Sequence, residues 1–207
     1  MKWRPYGPEA ALFSLESKDC PPAQLCADVE NDPPRGFLEA TPAYETVLVE
    51  FRPGTDLIQS AESLLRRWQA LPPTSEEASR LIQIPVRYEG EDLEEWARHA
   101  RMSVSEAITR HSEPLYKVAL IGFAPGFPYL QGLPPDLHMP RRTMPRATIP
   151  AGSVAIGGSH TGIYSIPSPG GWNLIGSTEV RLFDPAKEEE AFLLRPGDRV
   201  QFLPVVP

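Results

Sequence analysis

Apolar residues follow two rhythms along this chain. Tyr44-Glu45-Thr46-Val47-Leu48-Val49-Glu50-Phe51 alternates at period two, as a half-buried strand does, and the apolar run from Ala10 to Leu15 reads as a strand ahead of it. A proline-rich loop lies between them. After Pro53-Gly54 the rhythm changes: Leu57, Ile58, Ala61, Leu64, Leu65 and Trp68 recur at helical spacing, with Thr55 or Asp56 placed to cap the free amides of the first turn. This helix is predicted to cover the strands and to stop at Leu71-Pro72-Pro73-Thr74-Ser75. A polar stretch to Arg80 leads into a further strand at Ile82 to Tyr88, which places a domain junction near Ile84 and predicts domains over 1–83 and 84–207.

The second region opens on two short helices. Leu93, Trp96, Ala97 and Ala100 make one apolar face; Ser103-Val104-Ser105-Glu106 is a capping box starting a second helix, with Val104, Ala107, Ile108 and His111 on one side. Beyond them β-type segments alternate with glycine and proline clusters: Lys117 to Phe123, Ser153 to Ile156, Trp172 to Ile175, Val180 to Phe183 and Arg199 to Leu203. Short strands separated by turns predict a closed barrel or sandwich.

Composition sharpens this picture. The chain has 25 prolines in 207 residues, more than twice the usual ~5%. Proline is excluded from helix interiors and central strands, so loops and sheet edges must be abundant. A net charge of −7 offers no field for capturing nucleic acid or an anionic membrane. No apolar run approaches the ~18 residues of a spanning helix, and the start Met1-Lys2-Trp3-Arg4-Pro5-Tyr6 lacks the apolar core of a signal peptide, so a cytoplasmic protein is expected. Cys20 and Cys26 match no metal or redox spacing.

The usual chemical signatures are absent. There is no Gly-x-x-x-x-Gly-Lys-Ser/Thr loop, no His-Glu-x-x-His helix and no Gly-x-Ser-x-Gly elbow, and His99, His111, His138 and His160 are scattered. Three dense loops stand out instead. The first, Gly122 to Leu130, sets Phe123, Pro125, Gly126 and Phe127 in a rigid frame able to present backbone amides, although its aromatics also suit the cap of a barrel core. The second, Arg141 to Gly158, carries Arg141, Arg142 and Arg146, planar forks suited to a carboxylate or phosphate, with Arg141 and Arg142 equally suited to solvent or to the protein's own surplus carboxylates. The third, Ser159 to Gly176, gathers His160, Tyr164 and the turn Ser168-Pro169-Gly170-Gly171-Trp172, where backbone can approach a ligand closely. His160 is the candidate for proton transfer, against the commoner use of such a histidine as a hydrogen-bonded structural group.

At these loops the chain resembles a family that joins the B subunit of the prokaryotic 5-oxoprolinase, the kinase inhibitor KipI and allophanate hydrolase subunit 1. The resemblance rests on Gly122-Phe123-Ala124-Pro125-Gly126-Phe127-Pro128-Tyr129-Leu130, the Pro-Ala-Gly-Ser-Val run Pro150 to Val154, Thr161-Gly162-Ile163-Tyr164, Ser168-Pro169-Gly170-Gly171-Trp172 and Pro196-Gly197-Asp198. Gln131, His160 and Ser165 depart from the residues common there, and Cys20 to Phe37 matches no family segment. The resemblance implies an α+β fold: a small α/β N-terminal domain followed by a cyclophilin-like β-barrel. It implies a protein that acts with A and C subunits to hydrolyse 5-oxoproline to glutamate with ATP, magnesium accompanying the nucleotide and no metal bound by the chain itself. Other members imply inhibition of a sensor histidine kinase, or a place in an allophanate hydrolase or urea carboxylase type complex. Fold alone does not choose among them.

Overall fold

The computed structural model describes residues 1–16, 19–72 and 79–205. They form two compact units, Met1–Ser79 and Arg80–Pro207, each around its own hydrophobic cluster.

The first unit is an antiparallel sheet of four strands, β1 (Lys2–Pro5), β2 (Ala10–Ser14), β3 (Phe37–Ala43) and β4 (Thr46–Phe51), in the order β1-β2-β4-β3. Period-two burial along β4 sends Val47, Val49 and Phe51 into the core. Two helices, α1 (Pro22–Asn31) and α2 (Leu57–Ala70), bring Leu25, Val29, Leu64 and Trp68 to the same cluster. Of the two cap candidates for α2, Asp56 serves: its carboxylate accepts the Gln59 backbone N–H at 3.0 Å. Asp28 of α1 links the helices, accepting from Arg67 Nε and Trp68 Nε1, each at 2.8 Å. The stretch expected to be a proline-rich loop thus holds a helix and a strand, and Tyr44 sits in the β3–β4 turn at φ 52°. The polar stretch after Pro72 lies largely outside the described residues.

In the second unit the strands are β5 (Leu81–Val86), β6 (Tyr116–Ile121), β7 (Pro128–Gln131), β8 (Arg146–Ile149), β9 (Ser153–Gly157), β10 (His160–Ile163), β11 (Ser168–Gly170), β12 (Asn173–Ser177) and β13 (Arg199–Pro204). Seven of them make one sheet in the order β12-β9-β10-β7-β6-β13-β5, and β8 pairs with β11 apart from it. The sheet curls until its edges almost meet. Just past β5, Arg87 exchanges two backbone hydrogen bonds, 2.9 and 2.8 Å, with Ser177 at the end of β12. The α+β fold with a barrel-like second unit is therefore as expected. Helices α3 (Leu93–His99) and α4 (Val104–Ser112) bury Trp96 and Ala107 in the barrel's core, and the capping box at Ser103 is present.

One expected strand is missing. Val180 to Phe183 forms only an isolated bridge between Phe183 and Phe192. The apolar run there packs Leu182 inward from a turn, so burial without ladder partners produced a false strand signal. Conversely β7, β8, β10 and β11 occupy stretches read as loops, because their glycines and prolines mask a pairing set by distant partners.

Candidate functional site

Aromatic rings converge at the barrel end where β7, β10 and β12 begin or end. Phe127, just ahead of β7, is buried and stands edge-on to Phe123, Tyr129, Tyr164 and Trp172, with centroids 5.1–5.4 Å away. Trp172 reaches this cluster because Gly157 of β9 carries no side chain where its indole lies, for a Cβ there would collide with the ring; at Gly162 of β10 a Cβ would meet the Pro128 carbonyl and crowd Phe127 and Trp172. Gly170 faces the Tyr164 hydroxyl in the same way. Burial pushes the Tyr164 pKa up, against the pull of the Trp172 backbone amide, Arg141 and Arg146, so the phenol stays neutral near pH 7.

Together Phe123, Phe127, Tyr129, Arg141, Tyr164, Gly170, Gly171 and Trp172 line a cleft of about 80 Å³. All three loops singled out in the sequence contribute. The Arg141 guanidinium lies over the Trp172 ring, 5.7 Å from its centroid, and forms no ion pair among the described residues. Phe123 is 60% exposed at the rim and holds a left-handed backbone, φ 68°. A phenylalanine in that region stores strain, which the Gly122–Phe127 turn sustains with hydrogen bonds from Gly122 N to Phe127 O and from Phe127 N to Ala124 O.

The other candidates take different places. Arg142 and Arg146 turn to a buried carboxylate: Asp92 Oδ1 accepts from Arg142 Nη1 at 2.8 Å and from Arg146 Nη2 at 2.9 Å. Arg146 also meets Glu91 at 3.1 Å. For Arg142 the reading as a partner of the protein's own acids is thus the one the geometry follows; Arg146, expected to hold an anion, is paired in the same way, and of the three arginines Arg141 lines the cleft. Pro125 is exposed and its carbonyl accepts from Ser165 Oγ, while Gly126 is buried at φ 76° with Phe183 against it. Ser168 donates to the Ile166 carbonyl, and Pro169 is exposed on β11. None of these four lines the cleft.

His160 is not among the residues lining the cleft. Its imidazole is edge-on to Tyr129, centroids 6.3 Å apart. Burial first, then the charges of Arg141 and His138, hold its pKa below the usual histidine range, so it is neutral near pH 7.

Sequence reading missed Tyr129 and Asp92. Period two from Phe127 to Tyr129 places both rings on one face once β7 is recognised as a strand. Asp92, just before Leu93, reads as a helix cap, yet its side chain caps nothing on α3 and goes to the arginines instead. A wider recess of about 670 Å³ lies in the first unit, around Arg35, Gly36, Arg52 and the start of α2.

A mixed α+β chain whose barrel carries a small, ring-lined cleft with the Arg141 guanidinium over its tryptophan is the class that fold and site define. Its family follows from comparison: the chain belongs to the family described as carboxyltransferase domain, subdomain C and D, whose model matches residues 1–194. It is 45% identical over 185 residues to a protein of Escherichia coli O157:H7 named as the B subunit of 5-oxoprolinase, covering 88% of this chain and 82% of that one. A Haemophilus influenzae protein of the same name is 48% identical over 163 residues, 77% of this chain and 73% of that one. The crystal structure of TTHA0988 superposes with a TM-score of 0.81 at 40% identity, covering 96% of this chain but only 40% of that longer one. The resemblance read from the loops is borne out.

Proposed function

We propose that this chain is the B-type subunit of an ATP-dependent 5-oxoprolinase and that its barrel cleft receives the lactam. The observation that carries the reading is the Arg141–Trp172 pair at the mouth of a ring-lined cleft, in a chain so similar to proteins named as the B subunit of 5-oxoprolinase. 5-Oxoproline is a five-membered amide ring bearing one carboxylate. The Arg141 guanidinium, with no ion pair among the described residues, matches the carboxylate, and the edges and faces of Phe127, Tyr129 and Trp172 match the ring. A cleft of about 80 Å³ suits a small ring and is far too small for a nucleotide. ATP is therefore assigned to the partner A and C subunits. No group of three or more His, Cys, Asp or Glu side chains among the described residues is arranged to hold a metal ion, and magnesium is assigned to the nucleotide.

In this reading ATP phosphorylates the lactam oxygen and water adds at that carbon. The ring C–N bond then breaks, the nitrogen takes a proton, and a second water hydrolyses the acyl phosphate so formed, releasing phosphate and glutamate. The chain's own contribution is to bind the carboxylate, align the ring and keep water off its apolar faces. His160, which is not among the residues lining the cleft, is assigned no proton transfer; it packs edge-on against the Tyr129 ring. The longer TTHA0988 chain, of which this chain matches 40%, supports a second protein segment working beside this one.

The test is glutamate release from 5-oxoproline and ATP by the three mixed subunits. Release is expected only when this chain is present, and Arg141→Ala should raise KM for 5-oxoproline about tenfold or more, as loss of a hydrogen bond to a charged group of ~1.5–3 kcal/mol implies. Full release without this chain, or by this chain alone, overturns the subunit assignment. An unchanged KM in the Arg141 variant moves the lactam out of the cleft.

A further inference from the structure

We infer that Asp92 is a positioning residue for the cleft, acting through Arg141, which it does not touch. The inference rests on the cleft being the lactam site.

Asp92 lies just ahead of α3, with its side chain only 4% exposed. Its Oδ1 holds Arg142 and Arg146, and its Oδ2 accepts the Leu174 backbone N–H at 2.7 Å. Its own backbone N–H donates to the Leu174 carbonyl at 2.9 Å. One carboxylate thus grips both walls of the cleft. The first wall is the segment 141–146, fixed by arginines on either side of its loop. The second is the segment 170–174, fixed at Leu174, two residues from Trp172.

The walls are also stitched to each other. Arg142 N donates to the Gly171 carbonyl at 2.7 Å, Asn173 Nδ2 donates to the Pro140 carbonyl at 2.9 Å, and Arg146 lies opposite Gly170 in the β8–β11 pair. Arg141 sits between Pro140 and Arg142, so both of its chain neighbours are tied down. Its guanidinium is left over the Trp172 ring. Charge enforces the arrangement. With Arg142 paired to Asp92, and Arg146 to both Asp92 and Glu91, two acids balance the two guanidiniums and leave Arg141 to meet an incoming carboxylate.

The experiment is a double-mutant cycle on the reconstituted complex, reading KM and kcat for 5-oxoproline from glutamate release. Asp92→Asn preserves shape and removes the charge. It should raise KM about tenfold with kcat within about twofold, and it should raise KM no further in an Arg141→Ala background. A merely structural Asp92 would lower kcat by depleting folded complex and would act alike in both backgrounds. That result overturns the inference, as does an unchanged KM in the Asp92 variant. If Asp92→Asn fails to fold, Arg142→Gln, which removes one of the three bonds to the same carboxylate, replaces it in the cycle and must give a smaller KM increase with the same non-additivity. The two readings fail separately: Arg141→Ala without effect on KM sinks the cleft as lactam site, whereas an Arg141 effect with an additive Asp92 effect sinks only the positioning role.

Discussion

His111 is fully buried on α4, and its two ring nitrogens are both used. Nε2 lies 3.0 Å from Thr161 Oγ1, whose own proton goes to the Ala155 carbonyl at 3.1 Å, so the imidazole must donate there. That leaves Nδ1 to accept from the Tyr88 hydroxyl at 2.8 Å, and Phe202 stacks on the ring at 4.7 Å. Only neutral groups face it, and burial pulls its pKa from 6.5 down to about 3. Between those values the unfolded chain binds a proton that the folded chain refuses. Stability from this residue is therefore full above pH 6.5, is lost as pH falls, and stops changing below about 3. Between pH 7.5 and 5 the loss should be about 2 kcal/mol, measurable as a lower urea midpoint, and His111→Gln should flatten that slope. An equal slope in the variant would place the acid sensitivity elsewhere.

At the scale of elements, α4 offers a clean test of local chemistry. Ser103 Oγ accepts the Glu106 backbone N–H at 3.2 Å, and Glu106 Oε2 accepts the Ser103 backbone N–H at 2.8 Å. Ser103→Ala should lower unfolding stability by about 1 kcal/mol while leaving KM for 5-oxoproline unchanged; a change in KM would mean that α4 shapes the cleft. This box was legible in the sequence because a cap is a short-range signal, and α2 was legible because its apolar spacing is long and regular. Other elements were hidden by proline. Pro21 and Pro22 suggested a loop but stand at the cap and first position of α1, where a missing N–H is harmless. Pro5 and Pro42 lie in β1 and β3, the two edge strands of their sheet, where a lost donor faces no partner. Knowing which strands are edges takes the pairing order, which no local pattern reveals. For the site, the loops and their rings were readable as a cluster. The division of labour among Arg141, Arg142 and Arg146 was not, since it hinges on Asp92, some fifty residues upstream.

The whole molecule comprises two units with separate cores, and a linker that need not be intact for the second to hold together follows from that. Limited proteolysis between Leu71 and Leu81 should release a stable fragment containing the barrel, since Arg80–Pro207 has its own nearly closed sheet and its own apolar cluster. Mass spectrometry of the digest decides it: complete resistance, or loss of both halves together, would mean that the units depend on one another. Pairing across that second unit has a further effect. Strand β5 lies parallel to β13, with Gln83 and Gln201 side by side although 118 residues apart. A ribosome delivers β5 long before β13, so the nascent barrel waits with that strand edge unpaired while its partner is still inside the exit tunnel. Premature termination upstream of Arg199 should therefore leave β5 and β6 without the strand that pairs with both, a sticky edge and a substrate for chaperones and proteases.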